Sequence, residues 1–256
     1  MEKLFVIKVG GAVLEDENTL NDFLQRFADL KENKILVHGG GRSATQLSTR
    51  LGIETKMVDG RRITDQDTIT IVTMVYGGLI NKKAVVLLQS KGCNALGLTG
   101  ADMNLITAIK RPVKDIDYGF VGDVVKVDND VINLLIKSGF VPVIAPLTHD
   151  NKGQLLNTNA DTMASSIATA MVNQFDVSLV YCFEKAGVLS DPENEFSVIS
   201  ELSKSDYQQY LASGVIYSGM IPKLDNSFRA LELGVKSVII TNANSLNTKK
   251  GTHLSL

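Results

Sequence analysis

The sequence predicts an α/β protein, a three-layer sandwich around a central, mainly parallel sheet. Three observations carry that prediction. Short runs rich in Val and Ile recur along the chain, amphipathic stretches of helical period separate them, and glycine turns join strand to helix. Such alternation calls for a parallel sheet covered on both faces, because each crossover lays a helix against it. The 256 residues fit one large α/β domain or two closely joined lobes.

Taken in order, 4–9 reads as a buried strand, 18–32 as a helix and 34–38 as the next strand. A helix over 42–51 would place Ala44, Leu47 and Leu51 on one face. Two further helical stretches cover 67–80 and 81–91. Residues 106–127 alternate and turn at Gly119 and Gly122, which predicts an inserted β-hairpin. A helix over 130–138 and a strand over 141–145 follow. Asn159 is placed to cap a helix running to about residue 173. A strand over 177–183, an irregular stretch near 191–197, helices over 204–212 and 221–233, and a strand over 236–241 complete the reading.

Composition narrows the function. With 26 basic and 28 acidic residues the formal net charge is −2, which disfavours nonspecific binding to nucleic acid or membrane. Cys93 and Cys182 lie far apart and, with three scattered histidines, form no zinc or redox motif. Both read as buried, reduced thiols, which suits a cytoplasmic protein. No segment approaches the ~18 apolar residues of a membrane span. The opening apolar run, interrupted by Lys8, is too short for a signal peptide.

Two glycine-rich turns follow the first two strands, at Gly10-Gly11 and at Gly39-Gly40-Gly41. Glycine allows close approach of a ligand to the backbone, and amides leading into a helix favour anions. Tight strand-to-helix connections would use the same residues. The run from Gly39 to Ala44 also satisfies the dinucleotide-binding pattern, with Asp59 downstream. Asp59, however, sits in a turn before Arg61-Arg62 rather than at a strand tip. No Walker A sequence occurs.

Four charged residues ask for a reason. Lys8 interrupts a run fit for a central strand, and its place before Gly10-Gly11 favours a phosphate-facing role over snorkelling to water. Lys223 follows Pro222 near a helix start, where an anion-facing role and a solvated one fit the spacing equally. Asp161 opens another helix, where stabilising the dipole would alone account for it. Arg62 offers a planar fork suited to a carboxylate, or a surface arginine.

In order, the segments KVGGAV, LVHGGGRSATQLSTRLGI, VDGRRITD, LTGADMNLI, GFVGDV, LLNTNADTMAS and SGMIPKL resemble the N-acetylglutamate kinase family over nearly the whole chain. The resemblance implies the amino-acid-kinase fold. It also implies transfer of the γ-phosphoryl of MgATP to the side-chain carboxylate of an N-acylated glutamate, N-acetyl or N-succinyl, the second step of arginine biosynthesis. By that likeness Lys8 and Lys223 stabilise the transferring phosphoryl group and Asp161 holds both lysines. Gly10 and Gly11 bind phosphate, while Gly40, Gly41, Arg62 and Asn157 bind the acceptor. Glu184, Lys185, Gly187, Val215, Ile216 and Tyr217 meet the nucleotide, Mg²⁺ enters with ATP, and no metal site of the protein's own is implied. The likeness divides the chain near residue 172, with acceptor binding and dimerisation in 1–172 and ATP binding in 173–256.

The chemistry agrees. A carboxylate is already a nucleophile at neutral pH, so transfer rests on positioning and charge stabilisation without a general base. The sequence departs from the family at Glu184-Lys185, where an Asp turn is usual, and at Ser218. It begins at the first strand, without the helix that arginine-inhibited hexamers carry, which suggests a homodimer free of arginine feedback.

Overall fold

In the computed structural model, which describes residues 1–58, 60–216, 220–248 and 250–256, the first strand sets the plan. Strand β1 (Lys3–Val9) is a central strand whose alternate side chains enter two different cores. Leu4 and Val6 enter one, and Ile7 and Val9 enter the other. Lys8 therefore shares the face of Leu4 and Val6.

Along the chain, β1 leads to the short α1 (Gly11–Glu15) and to α2 (Glu17–Asp29), capped by Asp16. Next come β2 (Asn33–His38), α3 (Gly41–Arg50) and the two-stranded ribbon β3 (Met57–Val58) with β4 (Arg61–Arg62). Asp65 caps α4 (Gln66–Val72), which continues through a π-helical stretch, Thr73–Ile80, into α5 (Asn81–Gln89). Strands β5 (Ala95–Leu98), β6 (Ile106–Lys110) and β7 (Gly122–Val127) precede α6 (Asn129–Lys137). Strands β8 (Val141–Ile144), β9 (Leu147–His149) and β10 (Leu155–Asn157) lead to α7 (Ala160–Ala170). The last third holds β11 (Asp176–Phe183), β12 (Glu201–Ser203), α8 (Lys204–Ala212), α9 (Ile221–Glu232), β13 (Ser237–Asn242) and β14 (Thr252–Ser255).

The central sheet has the order β12-β14-β13-β11-β1-β2-β8-β5, parallel throughout except where β13 meets β14. Helices α6, α7 and α9 cover one face, while α2, α4 and α5 cover the other. A second sheet, β10-β9-β6-β7, carries the predicted hairpin, antiparallel between β6 and β7. The three-layer arrangement is the one the alternation predicts.

Several details differ from the sequence reading. Helix α7 stops at Ala170, and Leu51, beyond the end of α3, is exposed while Ser48 is buried. The sequence reading does not contain strands β3, β4, β5, β9, β10, β12 and β14. The continuous helix Gln66–Gln89 has 24 residues and a mean hydropathy of 1.5 over its most apolar stretch, so by length and composition it matches a membrane span. The expectation that no segment approaches one is corrected on that point. Its Ile69, Val72, Tyr76, Ile80, Ala84 and Leu88 are buried in the core, which explains the apolar content.

Candidate active site at the ends of the central strands

Period-two alternation places Lys8 near the end of β1 on the face covered by α7. The first turn of α7 carries Asp161, and the Asn159 side chain caps it by accepting from the Thr162 amide. Lys8 Nζ lies 2.7 Å from Asp161 Oδ1, a close ion pair without hydrogen-bond alignment. Lys223 Nζ donates to Asp161 Oδ2 at 3.0 Å from the first turn of α9, which Pro222 helps to start. The carboxylate thus bridges two lysines, and the group of three carries a net positive charge.

Burial alone would push the Asp161 carboxyl up, but the two lysine charges outweigh it and hold the acid below its ordinary value. Asp161 is therefore ionised at neutral pH. The Phe183 ring lies under both ammonium groups, its centroid 4.7 Å from Lys8 Nζ and 4.4 Å from Lys223 Nζ. Tyr181, which pairs with Lys8 across the sheet, donates its hydroxyl to the Asp161 carbonyl at 3.2 Å. Burial first, and the Asp161 charge second, push the Tyr181 phenol well up, so it remains a donor.

The glycine turns flank this cluster. The Gly10 amide donates to the Cys182 carbonyl and the Gly39 amide to the Val9 carbonyl, which fixes both turns to the strand ends. At Gly40 a Cβ would fall 2.6 Å from Ile80 Cδ1 and 2.7 Å from Tyr76 Cδ1, so only glycine lets the chain pass the π-helical stretch so closely. Arg62 Nη2 donates to the Gly41 carbonyl and to Thr45 Oγ1, both at 2.8 Å, and Nη1 donates to Thr55 Oγ1.

Two cavities open from the cluster and meet at Gly41 and Lys223. The first, about 370 Å³, is lined by Lys8, Gly10, Gly11, Glu184, Lys185 and Gly187 among others. The second, about 340 Å³, takes in Gly40, Arg62, Asn157 and Asp161. Asn157 donates to Thr64 Oγ1 at 3.0 Å, which orients its amide. Gly187 is required by packing, since a Cβ there would fall 2.7 Å from Thr252 Oγ1. Glu184 accepts from Arg42 at 2.9 Å, and Lys185 pairs with Glu195.

Two of the expected nucleotide contacts are not brought in. Val215 and Ile216 line neither cavity, and Ile216 is buried in the core behind α8 and α9. Tyr217 lies outside the described residues, as do Asp59 and Ser218. Conversely, sequence reasoning missed Phe183, Tyr181, Tyr76 and Arg42. Arg42 directly follows the glycine triplet, and that adjacency was a usable signal.

Also missed was His38, fully buried beneath the second turn. Its Nδ1 donates to the Gly39 carbonyl at 2.8 Å, and its Nε2 accepts from Asn81, whose amide also donates to the Val143 carbonyl. Desolvation lowers its pKa to about 4, so it is neutral. Its role is to brace the turn.

Comparison with known proteins agrees with this geometry. The pattern of the amino acid kinase family matches residues 3–242. The acetylglutamate kinase of Bacteroides fragilis is 58% identical over 253 residues, covering 99% of this chain and 97% of that protein. The acetylglutamate kinase of Cytophaga hutchinsonii is 59% identical, covering 96% and 94%. Among solved structures, smu.665 from Streptococcus mutans superimposes with a TM-score of 0.81 at 27% identity, covering 99% of this chain and 98% of that one.

Proposed function

The chain belongs to the amino acid kinase family, and from that premise we propose that it transfers the γ-phosphoryl group of MgATP to the side-chain carboxylate of an N-acylated glutamate, giving an acyl phosphate. N-Acetyl-L-glutamate is the acceptor that the relatives' names give, and N-succinyl-L-glutamate is the alternative. The observation that carries the reading is the Lys8–Asp161–Lys223 group lying where two cavities meet.

In this reading the first cavity takes the nucleotide and the second takes the acceptor. The acceptor carboxylate needs no base, so the protein's task is alignment and charge stabilisation. Lys8 and Lys223 face the phosphoryl oxygens as negative charge spreads over them. Asp161 fixes the separation of the two ammonium groups, and Phe183 presents an aromatic face beneath both. The Gly10-Gly11 backbone cradles the phosphates. The Gly40-Gly41 backbone meets the reacting carboxylate, Arg62 holds the α-carboxylate, and Asn157 binds the acylated amine. Mg²⁺ would enter with the nucleotide substrate and offset part of its charge.

Residues 1–172 supply most of the acceptor side and 173–256 much of the nucleotide side, including Glu184, Lys185 and Gly187. Both cavities nonetheless draw on both halves, because β1 and β11 are neighbours in one sheet. A homodimer and a cytoplasmic location complete the proposal. Exposed Met74, Leu79 and Val86 on the long helix offer an apolar face for a second copy, and both cysteines are free and buried.

The test is ADP release from MgATP with N-acetylglutamate, N-succinylglutamate, glutamate or aspartate, with hydroxylamine trapping the acyl phosphate. Turnover with an acylated glutamate is expected. Turnover with a free amino acid alone would move the protein to another carboxylate kinase of the family.

A further inference from the structure

The nucleotide cavity is lined by four cations, Lys8, Arg42, Lys185 and Lys223, and Glu184 is its one acidic side chain among the described residues. Lys8 and Lys223 share Asp161, and Lys185 reaches out to Glu195. The phosphoryl transfer set out above uses the first pair and leaves Arg42 without a task.

The second glycine turn sets the place of Arg42, which directly follows Gly41 in the first turn of α3. Gly41 and Lys223 line both cavities, whereas Arg42 lines the nucleotide cavity alone. Its guanidinium therefore lies on the nucleotide side of the junction. Nη2 donates at 2.9 Å to Glu184, just beyond β11, and Nη1 lies 3.6 Å from Glu15 at the end of α1. The arginine spans the mouth of the cavity between the segments that follow β1 and β11.

Neither contact locks it there. The side chains of Arg42 and Glu184 are 61% and 57% exposed, so water screens the pair and its hold is weak. The Glu15 contact is too long for a hydrogen bond, and Nε donates to no described residue. A phosphate presents several anionic oxygens at the spacing of the guanidinium fork, which makes it the stronger partner.

We propose that Arg42 is a further catalytic residue, one that exchanges Glu184 for the β-phosphate of MgATP, the leaving group of the transfer. The inference rests on the kinase reading and adds a residue to that same site. As an acceptor oxygen bonds to the γ-phosphorus, the bond from that phosphorus to the bridging oxygen breaks, and its electron pair stays on the β-phosphate. Lys8 and Lys223 meet the phosphoryl group that moves, and Arg42 meets the charge that collects behind it. Glu184 gives up its partner at little cost because its carboxylate stays in water.

The experiment measures binding of MgADP and of AMP by titration calorimetry in the wild type, Arg42→Met, Arg42→Lys and Glu184→Gln, with kcat for MgATP and N-acetylglutamate alongside. Arg42→Met should bind MgADP about 10- to 100-fold more weakly, the scale of one charge-assisted contact. Its affinity for AMP, which has no β-phosphate, should stay at the wild-type value, and kcat should fall at least about tenfold. Arg42→Lys should recover part of both losses. In Glu184→Gln the arginine starts free, so MgADP should bind as in the wild type or a few-fold more tightly. Wild-type MgADP affinity in Arg42→Met, or a kcat left unchanged, overturns the inference while turnover keeps the kinase reading standing. AMP weakened as much as MgADP overturns the assignment to the leaving group, and loss of MgADP binding in Glu184→Gln overturns the exchange. A wild type that binds MgADP but phosphorylates no acylated glutamate overturns the kinase reading, and the MgADP and AMP affinities then still decide whether Arg42 holds the β-phosphate.

Discussion

The two cavities that meet at Lys223 are built differently. The nucleotide side is framed by backbone, through Gly10, Gly11 and Gly187, and at its mouth by exposed ion pairs such as Arg42 with Glu184 and Lys185 with Glu195. The acceptor side is framed by side chains that other side chains hold: Arg62 by Thr45 and Thr55, Asn157 by Thr64, and Arg111 by Asp123. Backbone amides suit phosphate, which the nucleotide donor brings whatever the acceptor. Braced side chains suit an acceptor that has to be chosen. In the proposed reading, the difference puts specificity on the acceptor side and the chemistry at the junction.

The largest effects belong to the junction. Lys8→Ala should lower kcat by on the order of 10²–10³, the scale of losing one transition-state donor. A near-normal kcat in steady-state assays would take Lys8 out of the mechanism. Asp161→Asn leaves two ammonium groups without their shared counter-ion. It should reduce kcat by roughly the same factor, with KM for both substrates little changed, and should lower the melting temperature, since one partner of a buried ion group is lost. Collapse of binding for both substrates would instead make Asp161 a structural residue.

Acceptor-side variants should separate from these. In Gly40→Ala the new methyl meets buried Tyr76 and Ile80, so the turn must shift. KM for the acceptor should rise about tenfold or more, at a stability cost of ~1–3 kcal/mol. Arg62→Lys should raise the same KM while kcat changes little, because the fork is lost and the charge kept. If KM for ATP rose instead, the assignment of the cavities would be reversed. On the nucleotide side, Glu184→Gln breaks only an exposed pair and should shift KM for ATP by no more than a few-fold.

The brace under the second turn gives a pH signature. His38 is neutral when folded, with a pKa lowered from 6.5 to about 4. Between those values the unfolded chain binds the extra proton, so stability falls as pH drops from about 6.5 to about 4 and the contribution levels off below. The full loss is roughly 3 kcal/mol. Urea melts across that window should show the slope in the wild type and lose part of it in His38→Asn.

Much of this site was legible in the sequence because its residues sit at element boundaries. Lys8 broke an apolar strand, the glycine turns followed strand ends, and Asn159 with Asp161 announced the start of α7. Alternation also told which face Lys8 would take. What could not be read depends on distant pairing. Strands β5, β12 and β14 are three or four residues long and gain their form from neighbours far away in sequence. Phe183 reads as one more strand residue until β1 and α9 bring Lys8 and Lys223 over its ring. Ile216 belonged to an anticipated nucleotide stretch, yet its side chain completes the core. Arg111 lies within the hairpin stretch 106–127, and only the fold sets it beside the second cavity.

The most direct test of the central claim follows the γ-phosphorus of MgATP by phosphorus NMR during turnover with an N-acylated glutamate, first in the wild type and then in Lys223→Gln. The account predicts an acyl-phosphate resonance growing with ADP in the wild type and its near absence in the variant, which still binds both substrates. Inorganic phosphate alone in the wild type, or an unchanged rate in Lys223→Gln, would contradict it.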